Sequence, residues 1–176
     1  MRATAFLKSL SGQIDRLQRG KPFLLFDDGL RTDCEPISNS DLGNYLADCL
    51  DDPARQNRIL PIGGPAPALT PRQQGEELFR PLNRPPKFRQ VPIRLLDGVI
   101  AMLDGLSRLS PRLKDKAELA RIGRYYAAES MLVLNPATGH YDANATPSAE
   151  TARLFEHYAR LIRGEIAEDR GNPAVF

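Results

Sequence analysis

The sequence predicts an α/β fold in which a part with short strands is followed by a mainly helical part. The chain has 176 residues, of which 41% are hydrophobic and 26% charged, enough for one domain with a core. Short apolar runs alternate with helical patterns in residues 1–69. Helical periodicity dominates residues 70–176. We therefore expect an α/β unit over 1–69 and a helical cap over 70–176.

The first part is predicted to begin with a helix and a β-hairpin. Apolar residues recur at helical spacing from Phe6 to Leu17. The apolar run 22–26 has strand character and is followed by Asp28 and Gly29, a strong tight-turn signal. Residues 31–37 are predicted to return as the second strand of the hairpin.

A second helix and a buried strand complete this part. Ser38 to Asp41 is a helix start, and Asp52 with Pro53 ends the helix. The run 58–62 is predicted to be a buried strand that leaves the sheet. The apolar face of the helix is predicted to hold Leu42, Leu46, Cys49 and Leu50.

The cap is predicted to contain four helices. Thr70 and Gln73 form a capping-box pattern, with proline at the first helical position. Thr146 is the predicted N-cap of the last helix, whose inner face carries Leu154, Tyr158, Leu161 and Ile162. The predicted helices cover 70–82, 93–109, 115–128 and the residues after 146, and the predicted extended segments cover 87–92 and 131–134.

Composition argues against several classes of function. The formal charge of +2 does not by itself indicate a nucleic-acid partner. Neither a long apolar run nor a signal-peptide pattern is present, so we expect no transmembrane helix and no export. The spacing of Cys34 and Cys49 is neither a CxxC nor a disulfide framework, which predicts a reduced cytoplasmic setting. His140 and His157 are far apart, so we expect no metal site.

Familiar catalytic motifs are also absent from the sequence. It has no GxGxxG turn for a dinucleotide, and Gly63 with Gly64 lies between prolines, where a turn is the simplest role. It has no Tyr-x-x-x-Lys pair and no G-x-S-x-G elbow.

Two groups of polar residues each allow two interpretations. The stretch 72–94 holds six basic and two acidic residues, which is typical of a solvated helix face or of a rim that attracts an anionic ligand. Lys8 and the string 123–130 are either surface and packing residues or part of a site for a flat anionic ligand, because aromatic faces beside arginine suit such ligands.

Six strings of residues, in order, carry a family resemblance: 4–13, 21–22, 36–38, 60–65, 68–71 and 123–131. They resemble the divinyl chlorophyllide a 8-vinyl-reductases, which are atypical short-chain dehydrogenases/reductases. The resemblance runs from about residue 2 to the C-terminus. It implies the C-terminal part of a Rossmann-like NAD(P)-binding fold with a substrate cap. In that family the Gly-rich turn and the catalytic groups precede these strings, so both are expected upstream.

The resemblance also implies a reaction, its ligands and candidate residues. The family reduces the 8-vinyl group of a divinyl (proto)chlorophyllide to ethyl with NADPH, in chlorophyll or bacteriochlorophyll synthesis. Ala3, which follows Arg2 just before the first string, replaces the proline of the Arg-Pro pair that is usual in this loop of the family. The implied cofactor-side residues are Arg2, Ala3, Thr4 and Phe6. The implied substrate-side residues are Lys8, which is also a weak catalytic candidate, Arg124, Tyr125, Tyr126 and Glu129.

The sequence leaves two alternatives to a reductase portion. One is a non-catalytic binding or assembly subunit with the same fold, which the absence of a Gly-rich turn favours. The other is an inactive truncated fragment. For the reductase, we expect a tetrapyrrole substrate and a cytoplasmic location, with peripheral contact to a photosynthetic membrane as a further option.

Overall fold

The computed structural model describes residues 2–3, 5–7, 13–107, 110–148 and 154–166 as a mixed α/β structure. Its helices are α1 (Ile14–Gln18), α2 (Asn39–Asp51), α3 (Pro71–Phe79), α4 (Ile93–Ser107), α5 (Pro111–Ala128) and α6 (Leu154–Ile162), and a 3-10 turn covers Pro53–Arg55. Its strands are β1 (Arg2–Ala3), β2 (Phe23–Phe26), β3 (Pro61–Ile62), β4 (Phe88–Val91), β5 (Val133–Leu134) and β6 (Tyr141–Asp142). The mixed α/β class is thus confirmed.

The described strands pair two by two. β1 runs parallel to β3, with Arg2 opposite Pro61, and β2 runs parallel to β4, with Phe23 opposite Phe88. β5 and β6 form a short antiparallel pair. The parallel pairs join segments that lie far apart in the sequence, so the fold depends on long-range contacts rather than on local hairpins.

The predicted β-hairpin is wrong, although its turn is correct. The amide of Gly29 donates to the carbonyl of Phe26 at 3.1 Å and closes the turn. The carbonyl of Gly29 then accepts from the amide of Arg72 at 3.0 Å, so the chain continues toward α3 instead of returning beside β2. One edge of β2 is occupied by β4. On the other edge, the Gln13 amide both donates to and accepts from the backbone of Leu24, each at 2.9 Å.

One apolar cluster joins the two predicted parts of the chain. Its buried members come from α1, β2, α3 and α6, together with Leu7. The rings of Phe23 and Phe79 both meet Phe88 edge-on, with centroids 6.1 Å apart in each pair. The buried members are Leu7, Ile14, Leu17, Phe23, Leu25, Leu78, Phe79, Leu154 and Tyr158. The predicted inner face of the last helix is therefore confirmed.

The helix starts at Ser38 and Thr70 are confirmed. The Ser38 hydroxyl accepts from the Asp41 amide at 3.0 Å. The Thr70 hydroxyl accepts from the Gln73 amide at 3.2 Å, and the Gln73 side chain accepts from the Thr70 amide at 2.9 Å. Each contact satisfies a backbone donor that the first helical turn would otherwise leave unpaired.

The predicted apolar face of α2 is only partly covered, since Leu42 and Cys49 are half-buried. Leu46 is 46% exposed and Leu50 is 78% exposed, whereas the polar Asp41 is buried. Among the described elements, the one that α2 contacts most is the 3-10 turn that directly follows it. Apolar periodicity identified the helix correctly, but it could not say whether a neighbour would cover that face.

Other predicted bounds also change. Phe6 forms a parallel bridge with Ile37, so it is extended rather than helical, and residues 8–12 of that predicted helix lie outside the described residues. The segment 58–62 forms a strand only at Pro61–Ile62. Helix α4 fits its prediction as far as Ser107, and α5 begins four residues earlier than predicted, at Pro111.

Thr146 is not the N-cap of the last helix, because Pro147 and Ser148, which directly follow it, are not helical. The Thr146 hydroxyl accepts from the Val133 amide at 3.0 Å and donates to the Asp142 carbonyl at 2.9 Å. Pro147 accepts from the Gly63 amide at 2.8 Å, and Ser148 bridges Gly63 in parallel. Residues 146–148 therefore connect the β5–β6 pair to Gly63 through hydrogen bonds. Residues 149–153 lie outside the described residues.

An unusual contact fixes the start of α4. Asp27 has a positive φ of 50°, and its carboxylate accepts from the Ile93 amide at 3.0 Å. The Asp27 amide donates to the carbonyl of Val91 at 3.0 Å. One residue after β2 thus caps the helix that follows β4.

We expect Asp27→Ala to lower the free energy of unfolding by about 2 kcal/mol, because it removes the cap and places an alanine in the left-handed region. Asp27→Asn keeps an oxygen acceptor and tolerates this conformation, so it should remain close to wild type. Urea unfolding of the three proteins measures the difference. An equal loss in both variants would show that the cap has no stabilising role.

Candidate functional site

A buried segment of seven residues lies at the centre of the region where the family strings meet. We call residues 32–38 the central segment. All of its residues except Asp33 are buried, although three of the buried residues, Thr32, Glu35 and Ser38, are polar or charged. Buried polar backbone and side chains need hydrogen-bond partners, and these partners come from several distant parts of the chain.

The central segment pairs first with the residues that follow β1. The amide of Ile37 donates to the carbonyl of Ala5 at 2.8 Å, and the amide of Leu7 donates to the carbonyl of Ile37 at 3.1 Å. Cys34 and Leu69 exchange two backbone hydrogen bonds at 3.2 and 2.9 Å. The loop after β1 and the chain entering α3 are thus held against the same segment.

The substrate-side string is tethered to this segment as well. The hydroxyl of Ser130 accepts from the amide of Asp33 at 2.9 Å, and the amide of Met131 donates to the carbonyl of Asp33 at 3.0 Å. These two residues directly follow α5. The structure therefore connects the 123–131 string to the residues after β1 through one short stretch of backbone.

Gly64 approaches the central segment too closely for any side chain. Its amide donates to the carbonyl of Glu35 at 2.8 Å. A Cβ atom at Gly64 would lie 1.8 Å from the carbonyl oxygen of Pro36, far inside contact distance. The Ser148 hydroxyl donates to the Gly64 carbonyl at 2.6 Å from the opposite direction. Gly64 therefore has a packing role beyond the predicted turn.

Burial sets the electrostatics of the central segment. It raises the pKa of Glu35, whose side chain lies beneath Gly63. Burial also raises the pKa of Cys34 to about 12, against a smaller lowering by the Gln74 amide, which donates to the sulfur at 3.2 Å. A thiol this far from its thiolate form is not a nucleophile, so Cys34 serves packing.

The cofactor-side candidates lie at one edge of a parallel strand pair. Arg2 and Ala3 form β1, Ala3 is half-buried, and Phe6 is 36% exposed in its bridge with Ile37. Thr4 and Lys8 lie outside the described residues. The carboxyl end of β1 meets that of β3, which leads into Gly63 and Gly64. In α/β folds this edge is where ligands bind.

The substrate-side candidates lie at the end of α5. Arg124 donates to the carboxylate of Asp97 on α4 at 2.9 Å. Tyr125 and Tyr126 are 55% and 50% exposed, and their ring centroids are 5.9 Å apart in an edge arrangement. Glu129, at the end of the helix, accepts from the Tyr141 hydroxyl at 2.8 Å.

These substrate-side candidates share a helix end but do not point to one spot. Successive residues on a helix differ by about 100° in direction, so Arg124, held against α4, and the exposed Tyr126 present different faces. Sequence reasoning missed Tyr141, Asp97 and the central segment. The signal available in the sequence was a glutamate, Glu35, placed directly between a cysteine and a proline.

Within the described ranges, no group of three or more His, Cys, Asp or Glu side chains could hold a metal ion. Of the helices described, none combines the length and apolar character needed to cross a membrane.

Comparison with known proteins places the chain beside a group of reductases. Its sequence is 50% identical over 177 residues to a maize protein, and the match covers 100% of this chain and 44% of that protein. The maize protein is named divinyl chlorophyllide a 8-vinyl-reductase, chloroplastic. Proteins of the same name are 48% identical in indica rice, over 100% of this chain and 44% of the relative, and in Arabidopsis thaliana, over 95% and 40%.

The resemblance predicted from the ordered strings is thereby confirmed along the whole sequence. The chain spans less than half the length of these curated relatives, an extent consistent with the C-terminal portion that the strings predict. No family model matches the chain.

We expect Gly64→Ala to lower the free energy of unfolding by at least about 3 kcal/mol, because the new methyl group overlaps the Pro36 carbonyl. Gly98→Ala is the matched control, since a Cβ atom there meets nothing within 4 Å. In the exposed interior of α4 it should raise stability by roughly 0.5–1 kcal/mol. Thermal and urea unfolding test both changes. Similar behaviour of the two variants would refute the close approach.

We expect only one cysteine to react in the folded chain at pH 8. With a pKa of about 12, Cys34 has a thiolate fraction of about one in ten thousand at that pH, and it is buried, whereas Cys49 is partly exposed. Mass spectrometry after brief iodoacetamide treatment should find the adduct on Cys49, and Cys49→Ser should abolish it. Guanidinium should then expose both thiols. Rapid native labelling of Cys34 would contradict this assignment.

Proposed function

We propose that this chain is the C-terminal, substrate-side portion of a divinyl chlorophyllide a 8-vinyl-reductase. The single observation that carries the proposal is sequence identity of 46–50% with four relatives of that name. Of these, three match over the entire chain and the other over 95% of it. The reaction adds a hydride and a proton to the 8-vinyl group of a chlorophyllide and leaves an ethyl group.

The fold supports a role at the edge of a nucleotide-binding sheet. We propose that residues 1–69 belong to a Rossmann-like unit and that 70–176 form the substrate cap. The carboxyl ends of β1 and β3 lie together, as the ligand edge of such a sheet requires.

The residues after β1 fit the nicotinamide side of the cofactor better than its phosphates. The described ranges hold no Gly-rich turn between a strand and a helix, so the pyrophosphate would be held by another part of the protein. Arg2, Ala3, Thr4 and Phe6 are the proposed neighbours of the nicotinamide. The exposed ring of Phe6 offers an apolar face there. NADPH, when bound, supplies the hydride.

We assign the substrate side to Lys8 and to the end of α5. Tyr125 and Tyr126 present exposed rings that suit a flat tetrapyrrole. Arg124 suits a carboxylate of the pigment, and its present partner Asp97 is an exposed carboxylate that a ligand could replace at small cost. Tyr141 restrains Glu129 through its hydroxyl, so it joins the proposed set as a positioning residue.

The tether between Ser130 and Asp33 gives these assignments a common frame. It ties the end of α5 to the central segment, which in turn holds Ala5 and Leu7. A pigment lying between the two would be positioned by one connected backbone network. The names of the relatives include the word chloroplastic, and we propose that this chain likewise works where photosynthetic pigment is made.

The direct test is a chimera in which this chain replaces the matching segment of the maize protein. Supplied with NADPH and divinyl chlorophyllide, it should form the 8-ethyl product, measured by chromatography and absorption. The parent maize protein is the positive control. A folded chimera that binds pigment without turnover would contradict the proposal and favour a non-catalytic binding subunit.

Within that chimera, we expect Arg124→Gln to raise KM for the pigment about tenfold, through loss of one charge-assisted contact. Arg121→Gln is the matched control, because Arg121 also bridges α4 and α5 through Asp104 but lies one helical turn away from the proposed site. Equal kinetic effects of the two variants would mean that Arg124 acts only by holding the helices together.

A further inference from the structure

A basic cavity lies near the end of α1, among residues that the proposed reductase chemistry does not use. Its volume is about 450 Å³. Leu17 and Phe79 of the buried core line its apolar part. Four of the other seven lining residues are cationic: Arg19, Lys21, Arg84 and Lys87. No acidic residue belongs to the lining.

The position of Lys21 is fixed by the way α1 ends. The amide of Gly20 donates to the Leu17 carbonyl at 2.9 Å, and the amide of Lys21 donates to the Arg16 carbonyl at 2.9 Å. This is the Schellman pattern, which needs a left-handed residue at Gly20, and its φ is 75°. Lys21 therefore leaves the helix from a defined backbone position.

Lys87 is fixed by the parallel strand pair. Its carbonyl accepts from the Phe23 amide at 2.8 Å, directly before the β2–β4 register begins. Lys21 lies two residues before Phe23 on the neighbouring strand. The two lysines therefore enter the cavity from adjacent strand starts, and strand pairing sets their separation.

Arg84 is fixed by contacts with the helix end. Its guanidinium donates to the Leu17 carbonyl at 2.8 Å and to the Gln18 carbonyl at 3.4 Å. The Leu17 carbonyl thus accepts from both Gly20 and Arg84, and the weaker bond reaches the Gln18 carbonyl at the helix end. A guanidinium carries five N–H donors, so donors remain for a ligand.

The described residues around this cavity do not pair its cations with carboxylates. Within the described part of the chain, no ion pair involves Arg19, Lys21, Arg84 or Lys87. Like charges held in one concave space repel one another and attract an anion. Of the basic residues in the stretch 72–94, Arg84 and Lys87 line this cavity and so fit the interpretation as an anion-attracting rim.

We propose that this cavity binds a phosphate-bearing anion. Arginine and lysine donors bind phosphate oxygens through charge-assisted hydrogen bonds. The volume exceeds that of one phosphate group and falls in the range of small-molecule sites, so it leaves room for a second phosphate or a small attached group. The site requires neither the proposed reductase activity nor any residue assigned to it.

The source of the phosphate is either a soluble ester or a lipid headgroup, and two probes distinguish them. Pyrophosphate is titrated into the chain by isothermal calorimetry at fixed ionic strength. In parallel, the chain is sedimented with vesicles of phosphatidylglycerol in phosphatidylcholine. Saturable binding of pyrophosphate indicates a soluble ligand, and binding to vesicles alone indicates a headgroup.

The double variant Lys21→Gln/Lys87→Gln should weaken the binding that is observed by at least about tenfold. Lys114→Gln/Lys116→Gln removes the same charge from two exposed positions on α5 and should bind as wild type does. Equal weakening in both variants would show that binding depends only on the net charge of the protein, and the proposed site would be wrong. Absence of binding to both probes would also overturn it. Unfolding curves verify that both variants fold.

Discussion

The backbone hydrogen bonds of residues 32–38 are the constraint on which the rest of the structure depends. This central segment belongs to none of the named helices or strands, yet it receives the loop after β1, the chain before α3, the turn at Gly64 and the residues after α5. Almost all of it is buried, so each of its polar backbone groups needs a partner inside the protein. Those partners belong to the strings that carry the family resemblance, so strings far apart in the sequence are held together by one buried segment.

The central segment determines the positions of the candidate site residues and the electrostatics around them. Of the residues proposed for the cofactor side, the described ones lie in or directly after β1. Of those proposed for the substrate side, the described ones lie at the end of α5, and hydrogen bonds of the central segment link the two places. Burial raises the pKa values of Glu35 and Cys34, so the segment contributes shape and rigidity rather than a reactive thiolate. Chemistry would then come from groups that the frame positions, and from a bound cofactor that brings its own hydride.

The basic residues of the chain occur in two arrangements, one that joins helices and one that lines a cavity. On α5, Arg121 and Arg124 are paired with carboxylates of α4, so they fasten the two helices while remaining exposed. Around the cavity by α1, four cations face one space that acidic residues do not line. The first arrangement is locally neutral and the second is not, which is why the second points to an anion from outside the chain.

The sequence by itself determined the local features: helix caps at Ser38 and Thr70, the turn at Gly29, the apolar stripe of α6 and the family resemblance. The caps, the turn and the stripe depend on residues within a few positions of one another. The resemblance depends on strings of residues that occur in a fixed order along the chain. The tertiary structure decided the partner of β2, the exposure of Leu46 and Leu50 and the role of Thr146. Parallel pairing and burial depend on segments tens of residues away, and periodicity along one segment carries no information about which distant segment will meet it.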